Sequence, residues 1–160
     1  MILKHLCYLC ALLIGLAVPH VALAWETGEE LSEVLFESVD TTGNGSLDYG
    51  EVSDMAESIG LSMDSDVNEE ISFDEYMAWD FGFAYLAESE GGTDVFSAVK
   101  RVMFALIDLD GDQTLDEREW RISTRWNFER ADLDGDALLT EEEFLSGWAP
   151  IVMLRASRGS

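Results

Sequence analysis

The sequence predicts an all-α fold: a helical bundle with four helix-flanked loops and short β-bridges joining the loops in pairs. Three observations predict it. A twelve-residue acidic pattern begins at Asp40, Asp64, Asp108 and Asp132, with the same interval inside each pair. Apolar residues precede the patterns at the spacing of a helix's inner face, as in Phe104 and Ile107, then Phe128 and Ala131. The stretch Trp120–Ala131, between the last two patterns, has neither Pro nor Gly and reads as one helix.

In chain order, the first segment stands apart from the fold. Met1–His5 carries Lys4, residues 6–18 form an apolar run, and Val21-Ala22-Leu23-Ala24 ends in small residues. Charged start, apolar middle and small-residue exit are the pattern of a secretory signal peptide, here residues 1–24, cut after Ala24. The run is shorter than the roughly 20 residues that span a bilayer, so no membrane span is expected after cleavage. The expected location is secreted or periplasmic. Cys7, Cys10, His5 and His20 all fall in this segment. The chain beyond Ala24 therefore lacks disulfides, the commonest general base and the commonest transition-metal ligand, and no enzymatic activity is expected.

The acids all lie beyond Ala24. The chain holds 33 Asp and Glu against nine Lys and Arg, a net charge of −24, which repels nucleic acid and anionic membrane. A hydrophobic fraction of 48% and five tryptophans argue for a packed core rather than a disordered acidic chain. Residues 25–160 are expected as one domain, with a first half at 31–87, a turn at 88–94 and a second half at 95–154.

The loop at 40–51 sets Asp40, Thr42, Asn44, Ser46, Asp48 and Glu51 at positions 1, 3, 5, 7, 9 and 12. The loop at 64–75 sets Asp64, Asp66, Asn68, Glu70, Ser72 and Glu75 there. In the second half the same positions hold Asp108, Asp110, Asp112, Thr114, Asp116 and Glu119, then Asp132, Asp134, Asp136, Leu138, Thr140 and Glu143. Position 8 is apolar throughout, as Leu47, Ile71, Leu115 and Leu139. A hard cation taking six to eight oxygens is wrapped by such a loop. Side chains come from 1, 3 and 5, a backbone carbonyl from 7, a group often acting through water from 9, and both oxygens of a Glu from 12. On these residues the chain resembles the EF-hand family, calmodulin and its relatives, and the resemblance implies Ca2+ as the bound ion.

Position 6 of the template turns sharply at positive φ, where Gly is the usual residue. Gly45 supplies it in the first loop, but Glu69, Gln113 and Ala137 stand in the others. Each non-Gly residue there costs on the order of 1 kcal/mol. Counting carboxylates at ligand positions gives five in the loop at 108, four in the loop at 132 and three in each of the others, and the loops are ranked 108, 132, 64 and 40.

Twelve residues separate Glu51 from Asp64, and twelve separate Glu119 from Asp132. A helix of that length spans roughly 18 Å, so the loops at its two ends do not lie side by side. Val52–Met63 reads as the matching helix of the first half, weakened by Gly60. Between Glu75 and Asp108 the chain reads as helix Tyr76–Ala87, turn Glu88–Gly92, and helix Val95–Ile107 capped by Thr93 or Asp94. Loop 64–75 is then expected to pair with loop 108–119, and loop 40–51 with loop 132–143. The tail Trp148–Leu154 and the methionines Met55, Met63, Met77, Met103 and Met153 are expected chiefly as core.

The short spacing is similar to that of bacterial tandem EF-hand proteins and dockerins. It is also similar to lanmodulin, a periplasmic lanthanide binder that favours Asp at position 9, as at Asp48 and Asp116. Lanmodulin's Pro at position 2 is replaced by Thr41, Ser65, Leu109 and Leu133. The function expected is calcium binding outside the cytoplasm, as a buffer or as a calcium-dependent interaction or folding switch, with calcium ions the partner. The alternatives are a lanthanide binder, or a scaffold that calcium stabilises.

Overall fold

In a computed structural model the chain is described at residues 28–80, 84, 87, 88, 91–149, 151 and 152. The expected signal peptide, with its cysteines and histidines, and the segment from Met153 onward lie outside the described residues.

The chain is mostly helical but carries two small antiparallel sheets, so it is not plainly all-α. The order is α1 (Gly28–Val39), β1 (Ser46–Asp48), α2 (Tyr49–Met63), β2 (Ile71–Ser72), α3 (Phe73–Ala78), α4 (Thr93–Ile107), β3 (Thr114–Leu115), α5 (Glu117–Ala131), β4 (Leu138–Thr140) and α6 (Glu141–Gly147). None of the described helices is long and apolar enough to cross a membrane.

Helices α2, α3 and α5 each begin inside a loop, three residues before the sequence pattern places them, and α6 likewise begins inside the loop at 132–143. A capping box explains this. Asp48, Ser72, Asp116 and Thr140 each accept a hydrogen bond from the backbone N–H of a Glu three residues on, and that Glu accepts one from the backbone of the cap. Two orphan donors of each helix start are thereby satisfied.

Two boundaries differ from expectation. The helix expected over Tyr76–Ala87 ends at Ala78, where Trp79 is extended at φ −70° and ψ 139°. The ammonium of Lys100, reaching across from α4, donates to the carbonyls of Met77 and Trp79. Acceptors that another helical turn would have used are thus satisfied by a residue distant in sequence. Helical residues resume at Ala84, Ala87 and Glu88, and Gly91, at φ +75°, turns the chain toward α4. The cap of α4 is Gly92, which makes no side-chain bond, so neither Thr93 nor Asp94 is the cap.

Strand β1 pairs with β4, setting Leu47 opposite Leu139, and β2 pairs with β3, setting Ile71 opposite Leu115. Segment 64–75 therefore lies beside 108–119, and 40–51 beside 132–143. The four facing residues are at most 5% exposed, and each pair roofs its own core. Under β1–β4 lie Phe36, Val52, Phe128, Phe144 and Trp148; under β2–β3 lie Met63, Tyr76, Met103 and Phe104.

Helices α2 and α5 run between the two cores in opposite directions, each starting at one sheet and ending near the other. They touch at Gly60, where a Cβ would stand 3.2 Å from the indole nitrogen of Trp120. That indole N–H donates to the carbonyl of Ala56 at 2.8 Å. Gly60 is thus the residue that lets the two helices approach, rather than a weak point in α2. A similar approach closes the other end, where a Cβ on Gly147 would come within 2.8 Å of Ala131 Cα.

Candidate metal site

The four loops share one hydrogen-bond plan. At position 1 an Asp carboxylate gathers backbone N–H groups from the turn it precedes. Asp40 accepts from Gly43, Asn44 and Gly45 at 2.7, 3.1 and 2.8 Å. Asp64 accepts from Asn68 and Glu69, Asp108 from Gly111 and Gln113, and Asp132 from Gly135 and Ala137.

At position 12 the Glu folds back across its loop. One oxygen of Glu51 accepts from the Thr42 N–H, of Glu75 from Ser65, of Glu119 from Leu109 and of Glu143 from Leu133, at 2.7 to 3.0 Å. The other oxygen accepts from the N–H of Asp48, Ser72, Asp116 or Thr140. Glu51, Glu119 and Glu143 are each less than a tenth exposed. A buried carboxylate is costly without a compensating charge.

These bonds favour the ionised carboxylates. The Ser72 hydroxyl and N–H, joined by those of Ser65, pull Glu75 from 4.5 down to about 2. The Gly45 N–H foremost lowers Asp40, the Thr114 N–H lowers Asp112, and the Thr140 N–H and hydroxyl with the Leu133 N–H lower Glu143.

Three groups of carboxylates converge, with one oxygen from each within 4.8 Å of the others: Asp64, Asp66 and Glu75; Asp108, Asp110 and Glu119; Asp132, Asp134 and Asp136. Asp112 and Glu143 lie outside these triads. Asp112 accepts from the N–H and hydroxyl of Thr114, and Glu143 spans positions 2 and 9 of its loop. The loop at 40–51 forms no triad among the described residues. Asp40 and Glu51 are its carboxylates at positions 1 and 12, Thr42 donates to Asp40, and Asn44 accepts from Ser46. Ser46, Thr114 and Leu138 open strands β1, β3 and β4, and Glu70 directly precedes β2, so position 7 sits at a sheet edge in every loop.

Among the described residues no cationic side chain answers these charges. The ion pairs there are Arg121 with Glu117 and Arg125 with Glu129, both on the exposed surface of α5. An oxygen-only donor set of clustered carboxylates could hold a hard metal cation.

The backbone modifies the ranking of the loops. Position 6 has positive φ in all four, at Gly45 (82°), Glu69 (69°), Gln113 (72°) and Ala137 (68°). Position 4 does too, a second turn that the recurrence of Gly43, Gly111 and Gly135 signals in the sequence. In the loop at 64–75 that position is Val67, at φ 59°. This loop alone has non-glycine residues at both left-handed positions, one of them β-branched. The loop at 40–51 has glycine at both. The loops at 64–75 and 40–51 carry three ligand-position carboxylates each, and backbone strain favours 40–51. Position 9 is where each following helix is capped, by Asp48, Ser72, Asp116 and Thr140.

No protein-family model matches the chain, and no curated protein matches it.

Proposed function

We propose that the protein binds calcium through these loops, outside the cytoplasm, as a buffer or as a switch whose fold depends on the ion. One observation carries the reading: the position-12 Glu is folded across all four loops in one pose. In the loops at 64–75 and 108–119 that pose gathers it with the position-1 and position-3 carboxylates. Like charges held so close repel, and a cation between them removes the repulsion. Binding and folding are therefore coupled. The extracellular setting rests on the signal-peptide pattern of residues 1–24.

Calorimetric titration of residues 25–160 with calcium tests this, together with thermal melts in calcium and in EDTA. Heat of binding, a higher melting temperature in calcium, and loss of one site in Glu119→Gln are the expected results. Melting curves that superimpose in calcium and EDTA, with no binding heat, refute the proposal. A terbium titration read through Trp120 and Trp148 decides the ion class: displacement by modest calcium supports calcium, and resistance to it supports a lanthanide binder.

A further inference from the structure

Each acidic loop hangs from the helix before it by one hydrogen bond. The N–H of Asp40, Asp64, Asp108 and Asp132 donates to the carbonyl of Phe36, Gly60, Phe104 and Phe128 in turn, at 2.9 to 3.1 Å. The residue just after each position-12 Glu is Val52, Tyr76, Trp120 or Phe144. The fold sets these two groups crosswise between paired loops. Phe144 meets Phe36 with ring centroids 5.8 Å apart, Tyr76 meets Phe104 at 5.4 Å, and Val52 and Phe128 share one core.

The fourth crossing is built differently. Glycine stands at 60 where the other three helices have phenylalanine, and the residue opposite is the half-buried Trp120. With no Cβ at 60, the Ala56 carbonyl one turn earlier lies open, and the Trp120 indole N–H donates to it at 2.8 Å. The other crossings are apolar contacts that tolerate sliding, whereas a hydrogen bond weakens steeply once bent. Trp120 directly follows Glu119, and Asp64 hangs from the Gly60 carbonyl. A directional path therefore runs from position 12 of the loop at 108–119 to position 1 of the loop at 64–75. It is separate from the pairing of Ile71 with Leu115 in the sheet. The loop it reaches is the strained one, with Val67 and Glu69 at positive φ.

We propose that Trp120 is a positioning residue for the ion site at 64–75, acting from the neighbouring loop. When Glu119 is folded onto an ion in its own loop, the indole holds the end of α2, and with it Asp64, in the pose that the second ion needs. The carboxylate-rich loop at 108–119 fills first and prepares its weaker neighbour. This rests on the calcium reading above.

The amides of Gln113 and Glu69 each bond to the position-1 Asp of their own loop, at 3.2 and 2.9 Å, so they report the two sites separately. Their shifts are followed by heteronuclear NMR as calcium is added to residues 25–160. Trp120→Phe keeps a ring and removes the N–H. Gly60→Ala keeps the indole but sets a Cβ 3.2 Å from its nitrogen. Alanine also suits a helix better than glycine, so Gly60→Ala gives the answer where Trp120→Phe fails to fold. In both variants the Glu69 midpoint is expected to move several-fold to higher calcium while the Gln113 midpoint stays in place.

With Glu119→Gln also present, either change is expected to shift the Glu69 midpoint far less, because no filled neighbour is left to act through Trp120. An indole that served only packing would weaken the site equally in both backgrounds. That result overturns the proposal, as do midpoints that move together or a Glu69 midpoint that does not move, and all three leave calcium binding standing. If neither amide of the unaltered chain responds to calcium, the calcium reading fails and this proposal falls with it.

Discussion

Replacing Val67 and Glu69 by glycine tests whether the backbone of the loop at 64–75 is strained. Both residues sit in the left-handed region, at φ 59° and 69°. A non-glycine residue costs about 1–2 kcal/mol there, and glycine returns about 0.5–1 kcal/mol of that through its larger unfolded-state entropy. The net gain is about 0.5–1 kcal/mol per position, or about 1–2 kcal/mol for the double variant. At 1.4 kcal/mol per tenfold, this is roughly 5- to 30-fold in an equilibrium constant.

Where the gain appears depends on the metal-free loop. If it keeps this backbone without an ion, the gain is in metal-free stability; if the ion imposes the backbone, the gain is in calcium affinity. A thermodynamic cycle fixes the sum, so calorimetric melting without metal and calcium titration together must recover it. Gly43→Ala is the converse control. Its φ is +69° and nothing lies within 4 Å of where a Cβ would stand, so any effect is conformational. A loss of about 1 kcal/mol is expected there. A summed change of zero or below in Val67→Gly/Glu69→Gly, or a neutral Gly43→Ala, refutes the strain argument.

Two more outcomes are expected from the fold. Leu47 and Leu139 are fully buried and face each other across β1–β4; each change to Ala costs about 2–5 kcal/mol, and a double-mutant cycle by urea unfolding gives a coupling of about 0.5 kcal/mol or more, whereas strict additivity contradicts the pairing. In metal-free protein followed by NMR, Glu75 titrates near 2, so its hydrogen bonds support the fold above about pH 4.5 and are lost as pH falls through about 2; Ser65→Ala, which removes one hydroxyl donor, moves that midpoint upward, and an unmoved midpoint contradicts the assignment.

Much of the arrangement was legible because it rests on length and spacing. Twelve residues between Glu119 and Asp132, none of them Pro or Gly, leave room only for a helix that holds its two loops apart, and the strands pair accordingly. The inward position 8 was equally legible, since Leu47, Ile71, Leu115 and Leu139 recur in register. The end of α3 was not. It depends on Lys100, more than 20 residues away, and no local pattern encodes that contact. The role of Gly60 was hidden for the same reason, because its meaning lies in Trp120 on another helix. The second left-handed position was different: the glycines at 43, 111 and 135 were a visible signal, and Val67 is the exception that gives the signal its consequence.

The segments 31–87 and 95–154 share both sheets. Each sheet takes one strand from either side of the turn, and α2 and α5 each join the two cores. Neither half carries a complete sheet, so neither has the partner that buries its own position-8 residue. The physical neighbours are therefore 64–75 with 108–119 and 40–51 with 132–143. Whatever orders one member of a pair presents an ordered strand edge to the other. The strained loop at 64–75 leans in this way on the carboxylate-rich loop at 108–119, through Ile71 and Leu115. Its ordering should therefore respond to Glu119→Gln across the sheet more strongly than to Glu51→Gln along α2, although Glu51 lies nearer in the sequence.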